Sequence, residues 1–265
     1  MKNEETLRNI DESLLLMFSE LDKRSDFPIK NIKKKLALIS TPRCGSNLFC
    51  DVLFNTQQVG YPNEWISTRF IQAYANFFNI NGSVSFNEYF NFVLRKTTGD
   101  NGIFSIKFHI SQHQERLLQN INIFDLNFDN IYYLYRKEKM EQAYSLSKGS
   151  ITDQWRSDVR AEKELPETID KLKLLDSLNT LMKSENFYKE KISKRRKIQA
   201  EFCYEEFSLL DTTTAFHQVF SDLGISDIPT SWSLKLKKQR TEKDLKDLED
   251  FLNYISPSRF NKKME

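Results

Sequence analysis

Apolar residues recur along this chain in two rhythms, one of helices and one of strands. Residues 3–24 place Leu7, Ile10, Leu14, Met17, Phe18 and Leu21 at helical spacing, and Asp26-Phe27-Pro28 ends that amphipathic helix. The short run Leu36-Ala37-Leu38-Ile39 reads as a buried strand. A loop of small residues follows it, and then a helix carrying Leu48, Phe49, Val52 and Leu53. Residues 66–97 are rich in aromatics and read as helical with a break at Asn81-Gly82-Ser83; Phe70, Tyr74, Phe77 and Phe78 read as core packing. Alternation over 102–109 and 131–136 predicts two more strands, and 198–204 a fourth. Helices are expected at about 138–149, 211–223 and 242–254, with a loop at Trp155-Arg156-Ser157-Asp158. A long charged helix, or two, is expected over 166–195. It would open at Pro166, a good first-turn residue, with a stripe of Leu172, Leu175, Leu178, Leu181 and Met182.

Strands alternating with helices are the pattern of an open α/β sheet, mostly parallel, with helices on both faces: a three-layer fold. In such sheets ligands bind beyond the carboxyl ends of the strands. That rule gathers Arg43 and Ser46 after the first strand, Lys107 and His109 after the second, and Arg136 after the third into one crevice. The expected organisation is a helical extension over 1–30 and one α/β domain over 31–265.

Composition narrows the function classes. The chain has 265 residues, enough for a real core in one α/β domain. A net charge of +2 gives no global argument for nucleic acid, so any basic site must be local. The run Lys194-Arg195-Arg196-Lys197 reads as a solvated helix end. Three cysteines with no Cys-x-x-Cys spacing argue against a disulfide framework or a structural zinc site, and no metal is expected. No apolar run approaches the roughly 18 residues of a membrane span, and the acidic, amphipathic start is unlike a signal peptide, so a cytoplasmic protein is the expectation.

The chemistry starts at Ser40-Thr41-Pro42-Arg43-Cys44-Gly45-Ser46-Asn47. Pro42 fixes φ, Gly45 permits a left-handed backbone or close approach, and Ser46 or Asn47 can cap the following helix. A helix start at a strand's carboxyl end suits a phosphate or sulfate, and Arg43 adds a cationic fork. Cys44 is read as a small loop residue ahead of a nucleophile. The stretch lacks the Gly-Lys-Ser/Thr ending of a nucleoside-triphosphate loop and has no Gly-x-Gly-x-x-Gly; the Cys-x5-Arg phosphatase spacing also fails, because Cys50 stands where the arginine belongs. What remains is an anion cradle using arginine and backbone without magnesium.

Residues 37–50 resemble the 5′-phosphosulfate loop of sulfotransferases that use 3′-phosphoadenosine 5′-phosphosulfate (PAPS), and in particular the bacterial trehalose 2-sulfotransferase-like family. That family typically has Thr-Pro-Arg-Ser-Gly-Ser-Thr-Leu-Leu-Cys here, with Cys44 and Asn47 replacing a serine and a threonine. Gly60-Tyr61-Pro62-Asn63-Glu64-Trp65 is similar to its Gly-x-Pro-x-Glu-Tyr segment, and 102–109 to its Gly-x-Phe-Gly-x-Lys strand. Residues 136–145 resemble its 3′-phosphate motif, Arg-Arg-Asp-x-x-x-Gln-Ala-Val-Ser. Thr152-Asp153-Gln154-Trp155, Tyr204-Glu205-Glu206-Phe207 and Leu236-Lys237-Lys238-Gln239 are similar to later family segments. The long 166–195 region departs from the family, with Asn186-Phe187-Tyr188 standing loosely for its aromatic segment.

The resemblance implies a P-loop-like fold and transfer of the PAPS sulfuryl group to a hydroxyl of a carbohydrate or small metabolite. It implies donor contacts from Thr41, Pro42, Arg43, Cys44, Gly45, Ser46 and Asn47. Arg136 and Ser145 would hold the 3′-phosphate, with Lys237, Lys238 and Gln239 closing over it. Glu64 is the first choice as general base and His109 the second, with Arg43 and Lys107 stabilising charge. The expected partner is a small-molecule or glycan acceptor, and a homodimer through the first helix or 166–195 stays open. The alternatives are a nucleotide-dependent kinase with a degenerate loop and a non-catalytic protein that binds PAPS or its desulfated product.

Overall fold

A computed structural model describes residues 12–156, 161–208, 212–226 and 241–255. Lys237, Lys238 and Gln239, residues 3–11 of the expected first helix, and Ser157 and Asp158 lie outside the described residues.

Four strands form one parallel sheet in the order β2-β1-β3-β4: β1 Lys34–Ser40, β2 Ile103–His109, β3 Asn130–Tyr135 and β4 Ala200–Cys203. The period-two alternation of β1 sends Ala37 and Ile39 to one face and Leu36 and Leu38 to the other, so the sheet has a core on each side. The first face is covered by α1 (Glu12–Lys23), α3 (Thr68–Phe77), α4 (Phe86–Thr97) and α5 (Ile110–Leu118). The second is covered by α2 (Ser46–Asn55) and α9 (Thr212–Leu223), through Phe49, Phe216 and Phe220. This is the three-layer α/β architecture expected from the pattern. Two further helices, α6 (Lys139–Thr152) and α7 (Lys171–Phe187), build a third cluster with α10 (Glu242–Ile255) around Tyr144, Leu174, Leu248 and Phe251. A four-residue helix, α8 (Tyr204–Phe207), follows β4 directly.

Helix starts follow side-chain caps. Ser67 accepts from the Phe70 N–H, Ser85 from the Glu88 N–H, and Asp170 from the Leu172 N–H. The Asp170 cap corrects the expected opening at Pro166, because α7 begins at Lys171. Its buried stripe is also shifted: Leu174, Ser177, Leu181 and Ser184 face inward while Leu172 and Met182 are exposed. α7 ends in a π-helical turn, Tyr188–Ile192, whose Tyr188 stacks on Tyr133 of β3 at 3.5 Å and 14°. α5 was not foreseen from the pattern, since its residues are mostly polar.

Gly60 positions the segment that carries Glu64. It takes φ +69°, and a Cβ there would sit 2.2 Å from the Thr97 carbonyl oxygen, which accepts the Tyr61 N–H at 2.9 Å. Gly60→Ala is expected to destabilise the fold by more than about 1 kcal/mol. A denaturant midpoint equal to that of the wild type would refute this.

Candidate active site

The sheet brings the loop after β1, the end of β2 and the 60–67 segment to one edge. Ser40 and His109 are register partners at the last rungs of β1 and β2. Beyond Ser40 the backbone turns through two left-handed residues, Arg43 (φ 63°) and Gly45 (φ 83°). Gly45 is the N-cap of α2, and no side chain bonds there. The expected cap by Ser46 or Asn47 is therefore corrected: both lie inside the helix, one and two residues after the N-cap. Glycine is required at 45, since a Cβ would lie 2.5 Å from the Tyr204 ring.

The loop is braced from α6 and from the segment after it. Gln142 donates from Nε2 to Thr41 Oγ1 at 2.8 Å and to the Pro42 carbonyl at 2.7 Å. Arg43 donates from Nε to Ser145 Oγ at 2.9 Å and from Nη1 to the Trp155 carbonyl at 2.6 Å. The Cys44 thiol donates to the Thr41 carbonyl at 2.9 Å. Burial pushes the Cys44 pKa up to about 11, so it is a packed thiol and a poor nucleophile.

Lys107, Glu64, His109 and Asn47 meet. The Lys107 ammonium is 3% exposed; it lies 2.8 Å from Glu64 Oε1 and donates to Asn47 Oδ1 at 2.5 Å. His109 Nε2 is 3.5 Å from the same carboxylate oxygen, and its Nδ1 is 2.9 Å from Ser40 Oγ. Gln112 donates from Nε2 to Glu64 Oε2 at 2.6 Å and accepts the His109 N–H at 3.0 Å. Burial alone would raise the Glu64 pKa, but the charges of Lys107 and His109 outweigh it and hold the carboxyl well below its usual range. For Lys107, burial works to lower the pKa, and the adjacent Glu64 carboxylate outweighs it and raises it.

Arg136 follows β3 at the same edge, but it does not meet Ser145 as the sequence suggested. Its Nη2 lies 2.7 Å from Glu141 and its Nε 3.2 Å from Glu205, and its guanidinium stacks 5.0 Å above the Tyr204 ring. Ser145 instead serves Arg43. Arg43 and Arg136 are close enough to feel each other: burial, and then the charge of Arg136, lower the Arg43 pKa. Glu205 also accepts the N–H groups of Lys137 and Glu138, which makes it a brace for this turn.

Several members of the site were missed by sequence reasoning. Ser40, read as the start of the loop, is the last residue of β1 and was given no role, and the Trp155 carbonyl carries no sequence signal. Gln112 stands three residues after His109, a box-like spacing at a helix start that marks it in retrospect. Among the described residues no group of His, Cys, Asp and Glu could hold a metal ion, and no helix is long and apolar enough to cross a membrane. Comparison with protein-family models and with curated proteins finds no match for this chain.

The ion pair fixes a pH window. The Glu64 contribution is full above its ordinary value of 4.5 and is lost as pH falls through its depressed folded value. The Lys107 contribution is full below 10.5 and is lost as pH rises through its raised folded value. Glu64→Gln should therefore cost about 2 kcal/mol or more between those limits, because it leaves a buried ammonium without its counter-charge. Urea midpoints against pH should show that gap closing in acid. A gap that persists undiminished at pH 3 would contradict the assignment.

Proposed function

We propose that this protein is a PAPS-dependent sulfotransferase acting on a hydroxyl of a carbohydrate or related small metabolite. The observation that carries the reading is the join between loop and acid. Asn47, in the first turn of α2, and Glu64 share the Lys107 ammonium, at 2.5 and 2.8 Å. An anion-binding helix start and a carboxylate thus sit on either side of one cation. The resemblance of 37–50, 60–65 and 136–145 to the sulfotransferase segments supports the same reading.

The residues present fit a donor with anionic groups at two ends. Arg43 and the N–H groups of 44–47 bind the 5′ oxygens from which the sulfuryl group departs. Arg136 holds the 3′-phosphate, and to do so it exchanges Glu141, Glu205 or both for phosphate oxygens. Sulfuryl transfer resembles phosphoryl transfer, with an in-line and loose transition state in which positioning and charge stabilisation dominate. The sulfur–oxygen bond to the 5′-phosphate breaks as a bond to the acceptor oxygen forms, and Glu64 takes the acceptor's proton.

A carboxylate held far below its usual range is a weak base. Lys107 resolves this. As its ammonium turns from Glu64 to the sulfuryl oxygens, the carboxylate loses its counter-charge and gains basicity where the proton is released. Gln112 keeps Oε2 in place meanwhile, and His109 is the second group in reach of the same oxygen.

Calorimetry with adenosine 3′,5′-bisphosphate, the desulfated product, tests the reading. Binding is expected, and Arg43→Ala should weaken it by more than about tenfold. Glu64→Gln should keep the binding and lose transfer from PAPS. A folded protein that shows no heat at concentrations well above micromolar would sink the proposal, and retained turnover in Glu64→Gln would move the base role to His109.

A further inference from the structure

A cavity of about 290 Å³, near the lower size of small-molecule sites, lies beside α5 and the π-helical turn. Phe124 lies in the segment before β3, Arg195 and Arg196 in the segment before β4, and Lys191 in the π-helical turn; His113 and Phe124 both pack on Phe108 of β2, at 6.1 Å. Three features there have no role in the transfer site.

The first is His113 on α5. It is 3% exposed, it lines the cavity, and its Nδ1 is buried without a hydrogen-bond partner. Its ring packs edge-on against Phe124 at 4.9 Å and Phe187 at 6.3 Å. Burial, and then the charge of Arg196, bring its pKa down to about 4, so the ring is neutral near pH 7. A buried polar atom without a partner disfavours the folded state, and a bound molecule can relieve that. The second feature is charge: among the described residues, Lys191, Arg195 and Arg196 form no ion pair, although all three line the cavity. The third is aromatic surface, with Phe124 and Phe187 on the walls and the Arg196 guanidinium 5.0 Å above the Phe124 ring.

We infer that this cavity is a second binding site, for a small organic anion with a flat apolar body and a single negative head group. The phenylalanine walls take the body, and the uncompensated cations at the rim take the head. An inorganic anion would leave the walls wet, and a neutral aromatic would leave the cations unanswered. The inference stands apart from the transfer reading, because it uses none of the same residues and its test reads binding alone.

The chain has three histidines, so imidazole carbon signals of 13C-histidine-labelled protein can be followed individually, with His113→Gln assigning the relevant one. Titration with 1-naphthoate should move the His113 signal to saturation and leave that of His217 unmoved. The neutral 1-naphthamide should bind at least about tenfold more weakly, and inorganic sulfate should leave the His113 signal in place. In Arg195→Ala/Arg196→Ala, with an unchanged His217 signal as the check on folding, naphthoate affinity should fall by about tenfold or more. No saturable His113 shift, equal affinity for naphthoate and naphthamide, or a sulfate effect matching that of naphthoate would each overturn the inference. The amide and sulfate comparisons use the unmodified protein, so they decide the matter even if the double variant fails to fold.

Discussion

A lysine ammonium with only 3% of its side chain exposed must be answered, and the architecture of the site is the answer to Lys107. β2 is buried along nearly its whole length between two cores, so an ammonium at its carboxyl end cannot reach water. Glu64 comes from the 60–67 segment and Asn47 from the start of α2, and both converge on that one group. Three pieces of chain distant in sequence are locked at one point. Removing one partner of such a pair typically costs about 3–5 kcal/mol, more than any single apolar contact in the neighbourhood is worth. Glu64 is in turn held by Gln112, which also takes the His109 N–H, so the position of the carboxylate is fixed on both oxygens.

Packing makes that electrostatic arrangement rigid. Glu64 lies outside regular structure, where a carboxylate would ordinarily wander. Its neighbour Trp65 is fully buried, donates Nε1–H to the Tyr61 carbonyl, and offers its own carbonyl to the Tyr89 hydroxyl at 2.6 Å. The Tyr61 and Phe70 rings pack edge-on against Trp65. The segment behaves as part of the first core face, and Gly60 lets it enter by lying against the Thr97 carbonyl. On the other side, Tyr204 fills the space that a side chain at residue 45 would take and also carries the Arg136 guanidinium. Part of the chain's aromatic content thus packs against the two loops of the site.

β1 was legible as a near-continuous apolar run and β2 and β3 by alternation, whereas β4 is short and buried only at Cys203. The carboxyl-end rule then placed Arg43, Lys107, His109 and Arg136 at one edge without any contact information. The partners of those residues were not legible. Arg136 and Ser145 share a motif-like spacing, yet β3 and α6 direct Arg136 to Glu141 and to Glu205, sixty-nine residues away, and leave Ser145 to Arg43. Gln112 was hidden for a different reason: α5 is mostly polar, so apolar periodicity did not mark it as an element at all. The start of α7 was misread because proline is only permissive at a helix start, whereas Asp170 supplies a hydrogen bond.

The two sites differ in how their cations are answered, and this bears on what each could bind. At the carboxyl end, Lys107 is paired with Glu64, and Arg136 with Glu141 and Glu205. An anion that meets Lys107 or Arg136 would displace carboxylates from charges already paired. That exchange favours a ligand of high charge density presented at several points, as a bisphosphate is, over a simple anion. It also links binding to the state of Glu64, because whatever draws Lys107 away changes the basicity of the acid it leaves. At the cavity beside α5, Lys191, Arg195 and Arg196 meet no acid among the described residues, so an anion there would displace nothing. There a single head group suffices, and selectivity falls to the aromatic walls. Binding at the exchanging site should therefore vary less with salt than its count of cations suggests, whereas the cavity beside α5 should follow its cations directly.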